Sequence, residues 1–160
     1  MKAKCAVNAR TSLAPAVDWE AVRRDLAGLN LVTAPGQRKQ LSKDFFWYSP
    51  ILTAQLSGCV AELVVKVGTE DDVRQVCATA ARWKLPLTVR AGGTGNYGQC
   101  VPLEGGLVMD VTQLCRVLDI GDGRMRVEAG ARMHDIDLAA RETGQALRMW
   151  PSTWHVASIG

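Results

Sequence analysis

The sequence contains no long apolar run. No stretch of its 160 residues approaches the roughly 20 consecutive apolar residues of a membrane-spanning helix. The N-terminus also lacks a continuous apolar segment of the length found in secretory signal peptides. We therefore predict a soluble, cytoplasmic protein without a transmembrane segment.

Cysteine patterns typical of metal or redox centres are absent as well. The five cysteines are odd in number and widely spaced, and no two of them form the Cys-x-x-Cys pair of zinc and thiol–disulfide sites. They are Cys5, Cys59, Cys77, Cys100 and Cys115. We interpret them as reduced, mostly structural thiols and predict no metal site.

Net charge is also small. A net charge of +3, with lysines and arginines scattered along the chain, does not make the basic surface of a nucleic-acid-binding protein, so we expect no nucleic-acid partner. The 48% hydrophobic and 22% charged residues are typical of a globular protein. A chain of this length builds one core, which makes it one domain or part of a larger one.

Two common nucleotide-binding patterns are missing. Neither Gly-Lys-Ser nor Gly-Lys-Thr occurs, so the Walker phosphate-binding motif is excluded. A glycine-rich stretch is present at residues 92–98. The dinucleotide fingerprint requires a long helix directly after the glycines, and none is predicted there. These absences disfavour P-loop enzymes and nicotinamide-type Rossmann domains.

A strand–helix–strand unit is the clearest pattern in the sequence. Residues 63–67 form an apolar run that predicts a buried strand, and a capped, acid-rich helix start follows at residues 69–72. The apolar face of this helix continues to Trp83, and residues 85–90 predict a second strand. Such a crossover favours parallel strands with a ligand beyond their carboxyl ends.

The flanking segments predict further elements. Upstream, Asp18 is expected to cap a first helix that ends near Gly28. Residues 32–56 show no regular pattern. They contain an aromatic cluster at residues 45–48, which we interpret as a loop anchor. The downstream elements are strands at 106–111 and 117–120, a turn at 121–123, a hairpin partner at 124–129, and a helix at 131–143 with Met133, Ile136, Leu138 and Ala139 or Ala140 inward.

The glycine loop, residues 91–98, follows the second strand of that unit. A loop that holds a pyrophosphate needs several backbone N–H groups close to the anion, and glycines permit this approach. Thr94 adds a hydroxyl donor, Asn96 tolerates left-handed backbone, and Arg90 either adds positive charge or pairs with a carboxylate elsewhere. Glycine-rich loops also form hairpins and structural corners, so an anion-binding loop and a structural turn both stay open.

The order of these segments resembles a known family over residues 44–160. The segments are Leu-Thr-Val-Arg-Ala-Gly-Gly-Thr-Gly-Asn at 87–96, Gly-Leu-Val-Met-Asp at 106–110, Val-Glu-Ala-Gly-Ala at 127–131, Trp-Pro-Ser at 150–152 and Ala-Ser-Ile-Gly at 157–160. Together they resemble the FAD-linked oxidase family named after vanillyl-alcohol oxidase and para-cresol methylhydroxylase. Within it, the resemblance is greatest to glycolate oxidase FAD-binding subunits and D-lactate dehydrogenases.

The resemblance implies an α+β fold, namely the N-terminal part of a two-lobed FAD-binding domain with a mixed parallel and antiparallel sheet and flanking helices. Residues 1–43 would form a lead-in with one helix, and residues 44–160 the first part of the domain, truncated at its end. The resemblance also implies a set of cofactor-binding residues. They are Arg90, Ala91, Gly92, Gly93, Thr94, Gly95, Asn96, Pro151, Ser152, Thr153, Ala157, Ser158 and Gly160.

The function implied by the resemblance is oxidation of a 2-hydroxy acid, similar to glycolate or D-lactate, by hydride transfer to FAD. We expect the FAD to be non-covalent, because Thr94 stands where flavin-tethering relatives carry a histidine. Catalytic residues are expected beyond residue 160, and the electron acceptor and a homo-oligomeric state stay open. The alternatives are a catalytically inactive FAD-binding or interaction module, a remnant fragment, or a non-flavin α/β domain whose glycine loop is only structural.

Other polar and aromatic residues receive structural interpretations from the sequence. They are Asp110 as a turn cap, Glu128 as a surface or turn-satisfying acid, His134 and His155 as structural histidines, and Trp150 and Trp154 as packing residues. His155 and the two tryptophans stand in or beside the segment that would face the flavin. A proton-handling histidine and flavin-shielding tryptophans are therefore the functional alternatives.

Overall fold

A four-stranded sheet forms the centre of the fold in the computed structural model, which describes residues 17–45 and 49–160. The elements in chain order are α1 (Trp19–Asp25), β1 (Asn30–Val32), α2 (Pro35–Leu41), α3 (Pro50–Leu56), β2 (Leu63–Lys66), α4 (Glu70–Trp83), β3 (Leu87–Arg90), β4 (Leu107–Asp110), β5 (Val117–Gly121), β6 (Arg124–Val127) and α5 (Met133–Glu142). The predicted mixed sheet with flanking helices is confirmed.

Parallel pairing aligns the carboxyl ends of three strands at one edge of the sheet. The strand order is β1-β2-β4-β3; β2 and β3 both pair in parallel with β4, and β1 pairs antiparallel with β2. In this register Lys66 and Arg90, which end β2 and β3, both lie opposite Asp110 at the end of β4. The predicted strand–helix–strand unit is therefore parallel, with β4 inserted between its two strands.

The core lies on both faces of this sheet. Every residue of β4 is buried, as expected for a strand covered on both sides. On one face Val22 of α1 and Val76 of α4 pack against alternate residues of β2 and β4. On the other face Leu41 of α2 packs against Val64 and Val108. The helices thus fix the sheet, and the sheet fixes where the loops after β3 and β4 begin.

Helix α4 begins at a reciprocal cap. The Thr69 hydroxyl accepts a hydrogen bond from the N–H of Asp72 at 3.1 Å, and Asp72 Oδ2 accepts from the N–H groups of Thr69 at 3.0 Å and Gly68 at 2.8 Å. These bonds satisfy amides that have no partner within the helix. Hydrogen bonding, first of all from Gly68, lowers the pKa of Asp72. The predicted capped helix start is confirmed.

The segment before β2 is more regular than the sequence predicts. Residues 32–56 are expected to lack a regular pattern, but they contain α2 and α3. The lead-in of residues 1–43 is expected to hold one helix, and it also supplies β1 and α2. Pro35 and Pro50 each occupy the first turn of a helix, where a missing N–H and a fixed φ are favourable, so they start helices rather than interrupt them. Of the aromatic cluster, Phe45 is exposed and residues 46–48 lie outside the described residues.

The predicted hairpin is confirmed. Strands β5 and β6 pair antiparallel. Between them Asp122 and Gly123 both adopt left-handed backbone, with φ of 47° and 73°. Two consecutive residues with positive φ make the tight turn that matches the twist of a two-stranded hairpin.

Helix α5 has a different inward face from the predicted one. Met133, Ile136 and Ala140 are buried as expected, but Leu138 is half exposed and Asp137 points inward instead. The buried Asp137 carboxylate accepts hydrogen bonds from Nε of Arg141 at 2.7 Å and from the N–H of Leu147 at 3.1 Å. The prediction for Leu138 was wrong because a buried acid is acceptable where hydrogen bonds satisfy it.

Membrane and metal sites are also absent from the described part of the chain. Within residues 17–45 and 49–160, no helix is long and apolar enough to cross a bilayer. No group of three or more histidine, cysteine or acidic side chains there is arranged to hold a metal ion. The described cysteines, Cys59, Cys77, Cys100 and Cys115, are free thiols.

Candidate functional site

A cleft of about 400 Å³ opens where β3 and β4 end. It is lined by Val89, Ala91, Gly93, Thr94, Gly95, Gln99, Cys100, Val111, Ala129, Ser158 and Gly160. The carboxyl ends of parallel strands are the usual position of ligand sites in sheets of this kind. Four separate parts of the chain therefore meet at one concave surface, and the glycine loop forms a large part of it.

The first glycines of the loop are required by close contacts and backbone conformation. Gly93 adopts φ of +64°, and a Cβ there would lie 2.5 Å from Cζ of Arg90. A Cβ on Gly92 would lie 2.7 Å from the carbonyl oxygen of Val156. Real Cβ atoms do not approach other atoms this closely, so neither position accepts a larger residue without local rearrangement.

The loop also carries unused hydrogen-bond donors. Among the described residues, no hydrogen bond uses the backbone N–H groups of residues 93–96. Residues 93–95 are only partly exposed, and buried or half-buried amides normally have a partner. Successive amides of this kind form a concave anion-binding surface.

Residues 43–45 contact the loop at Gly95 and Gly98 and also contact Arg90 directly before it. Arg90 donates from Nη1 to the carbonyl of Lys43, the N–H of Phe45 donates to the carbonyl of Gly95 at 3.0 Å, and the N–H of Gly98 donates to Oδ2 of Asp44 at 2.6 Å. Residues 43–45 are called the anchor segment below. The arginine expected to bind the cofactor is thus already engaged with the protein backbone.

The closing segment, residues 157–160, forms the opposite side of the cleft. Ser158 Oγ accepts a hydrogen bond from the N–H of Gly92 at 3.0 Å and donates to the carbonyl of Gly160 at 3.1 Å. The N–H of Gly160 donates to the carbonyl of Ala129 at 2.9 Å, so the segment is also tied to the residues after β6. The two segments expected to surround the cofactor therefore meet through one serine hydroxyl.

The structure brings together only some of the predicted cofactor-binding residues. Those that line the cleft are Ala91, Gly93, Thr94, Gly95, Ser158 and Gly160. Arg90 and Gly92 do not line the cleft; Arg90 is hydrogen-bonded to the Lys43 carbonyl and the Gly92 N–H to Ser158 Oγ. Asn96 is exposed, and Ala157 is buried. Pro151, Ser152 and Thr153 belong to a turn closed by the Trp154 N–H to the Pro151 carbonyl at 3.0 Å, and they do not line the cleft.

The chain matches a family model over most of its described length. A model described as an FAD binding domain matches residues 61–160. The chain belongs to this family. The glycine loop, the cleft and the closing segment all lie within the matched residues of this FAD-binding domain.

Curated relatives of the FAD-binding domain are oxidoreductases by name. The chain is 30% identical over 88 residues to an uncharacterized FAD-linked oxidoreductase of Mycobacterium tuberculosis, 31% over 100 residues to the glycolate oxidase subunit GlcD of Escherichia coli, and 28% over 99 residues to the D-lactate dehydrogenase of Archaeoglobus fulgidus. These matches cover 54%, 61% and 61% of the chain. The matched region is 19%, 20% and 22% of the relatives' lengths, respectively.

Solved structures share the fold of the FAD-binding domain. Alkyldihydroxyacetonephosphate synthase superposes with a TM-score of 0.74 at 15% identity, over 93% of this chain and 29% of that one. p-Cresol methylhydroxylase superposes with a TM-score of 0.68 at 16% identity, over 87% of this chain and 27% of that one. The expected fold family is confirmed by these neighbours and by the family model.

The geometry of the loop fits the pyrophosphate of FAD. Gly93, Gly95 and Gly98 have the Gly-x-Gly-x-x-Gly spacing, but the next element is β4 and not a helix. In Rossmann domains the anion is bound at a helix N-terminus, whereas an anion here would be bound by loop amides. The amides of residues 93–96, unused among the described residues, and the Thr94 hydroxyl supply the donors, and the cleft supplies the room that a diphosphate needs.

Cys100 is a cleft residue that the sequence-based set omits. Burial raises the pKa of its thiol, the Arg90 guanidinium opposes this rise and the Asp44 carboxylate adds to it. At neutral pH the thiol form therefore predominates. Gln99 and Cys100 directly follow the loop, so their proximity could have been inferred from the sequence. Val111, Ala129 and the anchor segment lie far from the loop in sequence, and no pattern in the sequence points to them.

Two acids near the cleft have structural roles, as predicted. Asp110 Oδ1 accepts hydrogen bonds from the N–H and hydroxyl of Thr112 at 2.9 and 2.6 Å, which caps the turn after β4. Glu128 accepts from the N–H of Arg116 at 2.8 Å and from its guanidinium at 2.7 Å. These bonds lower the pKa of the Glu128 carboxyl.

The histidines and tryptophans form an aromatic cluster away from the cleft lining. Trp154, His134 and His155 all contact one another at tilted angles, with ring centroids 4.9 Å (Trp154–His134), 4.1 Å (Trp154–His155) and 5.1 Å (His134–His155) apart, and Trp150 lies 6.0 Å from Trp154. None of these four residues lines the cleft. Their mutual packing agrees with the structural interpretation of both histidines.

Proposed function

We propose that the protein is a flavin-dependent oxidoreductase that binds FAD non-covalently in the cleft and oxidises a 2-hydroxy acid. The cofactor part rests on the backbone N–H groups of residues 93–96, which have no acceptor among the described residues. Residues 93–95 line the cleft of the FAD-binding domain. The substrate part is supported by similarity to a glycolate oxidase subunit and a D-lactate dehydrogenase, whose named substrates are both 2-hydroxy acids.

The residues of this chain would bind and orient the cofactor. The amides of residues 93–96 donate to the pyrophosphate, and Thr94 adds its hydroxyl. Ser158 holds the closing segment against the loop, and the apolar cleft residues, such as Val89 and Val111, exclude water. When bound, FAD supplies the acceptor for the hydride that leaves the hydroxyl-bearing carbon of the substrate.

Non-covalent binding is supported by the weak nucleophilicity of Thr94 and Cys100, two residues that line the cleft. Thr94 has an unactivated hydroxyl, which is a poor nucleophile near neutral pH. Cys100 has a thiol whose raised pKa keeps the reactive thiolate scarce. His134 and His155 do not line the cleft.

The test uses the purified full-length protein that contains this sequence. Under anaerobic conditions, glycolate and D-lactate are each mixed with the protein, and the flavin absorption is followed. Reduction by a 2-hydroxy acid, with no reduction by the matching alcohol that lacks the carboxylate, would support the proposal. A protein that holds FAD but is reduced by no 2-hydroxy acid would refute the substrate, and a protein that binds no FAD would refute the function.

A further inference from the structure

The anchor segment contacts the glycine loop in its middle and at its end, and it also contacts Arg90 directly before the loop. Its contacts are with Arg90, whose guanidinium donates to the carbonyl of Lys43, with the carbonyl of Gly95 and with the N–H of Gly98. These residues lie before residues 61–160, the part that matches the FAD binding domain. The loop of the cofactor site is therefore held by residues outside the matched segment.

The positions of these contacts determine which loop groups remain for a ligand. The bonds to the Gly95 carbonyl and the Gly98 amide restrain the backbone around residues 93–96, whose own amides stay unused among the described residues. The Arg90 guanidinium fills the space beside Gly93, where a Cβ would lie 2.5 Å from Cζ. A loop that is ordered before binding loses less conformational entropy when the ligand arrives.

We propose that Asp44 and Arg90 are positioning residues for the cofactor, which hold the amides of residues 93–96 in their binding conformation without contacting the pyrophosphate themselves. This inference rests on the proposed function. It gives Arg90 a role different from the direct contact expected from the sequence. It also assigns an acid to the support of an anion site, where its charge alone would weaken binding.

The charge of Asp44 makes the inference testable with a matched pair of variants. Asp44→Asn keeps an oxygen that accepts the hydrogen bond from Gly98 and removes the negative charge, whereas Asp44→Ala removes both. Asp119→Ala, at an exposed position of β5, is the control. The dissociation constant for FAD is measured by titrating the full-length apoprotein and following flavin fluorescence.

The expected result separates hydrogen bonding from charge. Asp44→Ala should bind FAD about tenfold more weakly, the usual effect of losing a hydrogen bond to a charged acceptor. Asp44→Asn should bind as tightly as the parent or more tightly, and Asp119→Ala should match the parent. Equal affinity of Asp44→Ala and parent would overturn the inference, and so would an Asp44→Asn variant as weak as Asp44→Ala.

Cys100 provides a second measurement that does not require FAD. Burial is the main cause of its raised pKa, the Arg90 guanidinium opposes the rise and the Asp44 carboxylate adds to it. The pH profile of its alkylation, followed by peptide mass spectrometry in the apoprotein, therefore responds to both charges. Asp44→Asn should move the profile to lower pH and Arg90→Gln should move it to higher pH. Unchanged profiles in both variants would overturn the inference, even if Asp44→Ala fails to fold.

Failure of the proposed function can be distinguished from failure of this inference. A parent protein that binds no FAD refutes the proposed function and, with it, the positioning role. A parent protein that binds FAD, together with an Asp44→Ala variant of equal affinity, refutes the positioning role alone.

Discussion

Replacement of Gly93 by valine should weaken FAD binding to the full-length protein about 100-fold. The left-handed backbone at Gly93, with φ of +64°, disfavours a residue with a Cβ by about 1–2 kcal/mol, and a β-branched side chain is the least tolerant. The Arg90 guanidinium would have to move and lose its hydrogen bond to Lys43, a further loss of about 1 kcal/mol. Together these effects amount to about 2–3 kcal/mol against the binding conformation.

Two control variants separate the effect on the cofactor site from a general loss of stability. Gly123→Val introduces the same residue at a similar left-handed φ, +73°, in the hairpin turn, where a Cβ meets nothing within 4 Å. Gly68→Ala places a Cβ at an ordinary 3.5 Å from Oε1 of Gln113. Both should keep the parent's dissociation constant for FAD, measured by fluorescence titration of the apoprotein. Equal FAD affinity of Gly93→Val and the parent would refute the assignment of the loop to the cofactor.

Three further predictions follow from the same geometry. Acid denaturation and membrane filtration of the full-length protein should release all flavin into the filtrate; flavin that stays on the protein, and disappears in Cys100→Ala, would contradict non-covalent binding. Ser158→Ala leaves the Gly92 N–H without its acceptor and should raise the dissociation constant for FAD about tenfold, whereas the exposed control Ser57→Ala should not; equal values for Ser158→Ala and parent would disprove the bridging role. Hydrogen bonds, first of all from Arg141, lower the pKa of Asp137 in the folded protein. The ionised carboxylate therefore stabilises the fold at pH values above the pKa that Asp137 has in the unfolded chain. This stabilisation is lost as the pH falls through the lower pKa of the folded state. Asp137→Asn should therefore lower the melting temperature near neutral pH, and the difference from the parent should shrink in acid; a difference that is constant with pH would contradict this.

The parts of the fold that the sequence predicts are those in which local signals and burial agree. Residues 63–90 combine an apolar strand, a capped helix and a second strand, and the structure has these elements close to the predicted positions. The hairpin at residues 117–127 likewise follows from its turn residues. In both cases the deciding information lies within a few residues of the element.

Other features depend on contacts between distant residues, and the sequence does not contain a local signal for them. The insertion of β4 between β2 and β3 is one such feature, since strand order is set by the packing of the whole sheet. The inward position of Asp137 depends on Leu147, beyond the end of its own helix. The anchoring of Gly98 by Asp44 joins residues 54 positions apart, with no motif to indicate it.

The Ser158 bridge to Gly92 also constrains the order in which the protein acquires its site. The two residues are 66 positions apart, so the bond closes a long loop that includes β4, the hairpin and α5. Closure of such a loop is entropically unfavourable until the intervening elements have formed, which places it late in folding. During synthesis the glycine loop leaves the ribosome well before Ser158 does. We therefore expect the Ser158–Gly92 bond, and with it the closed cleft, to form after the sheet beneath it.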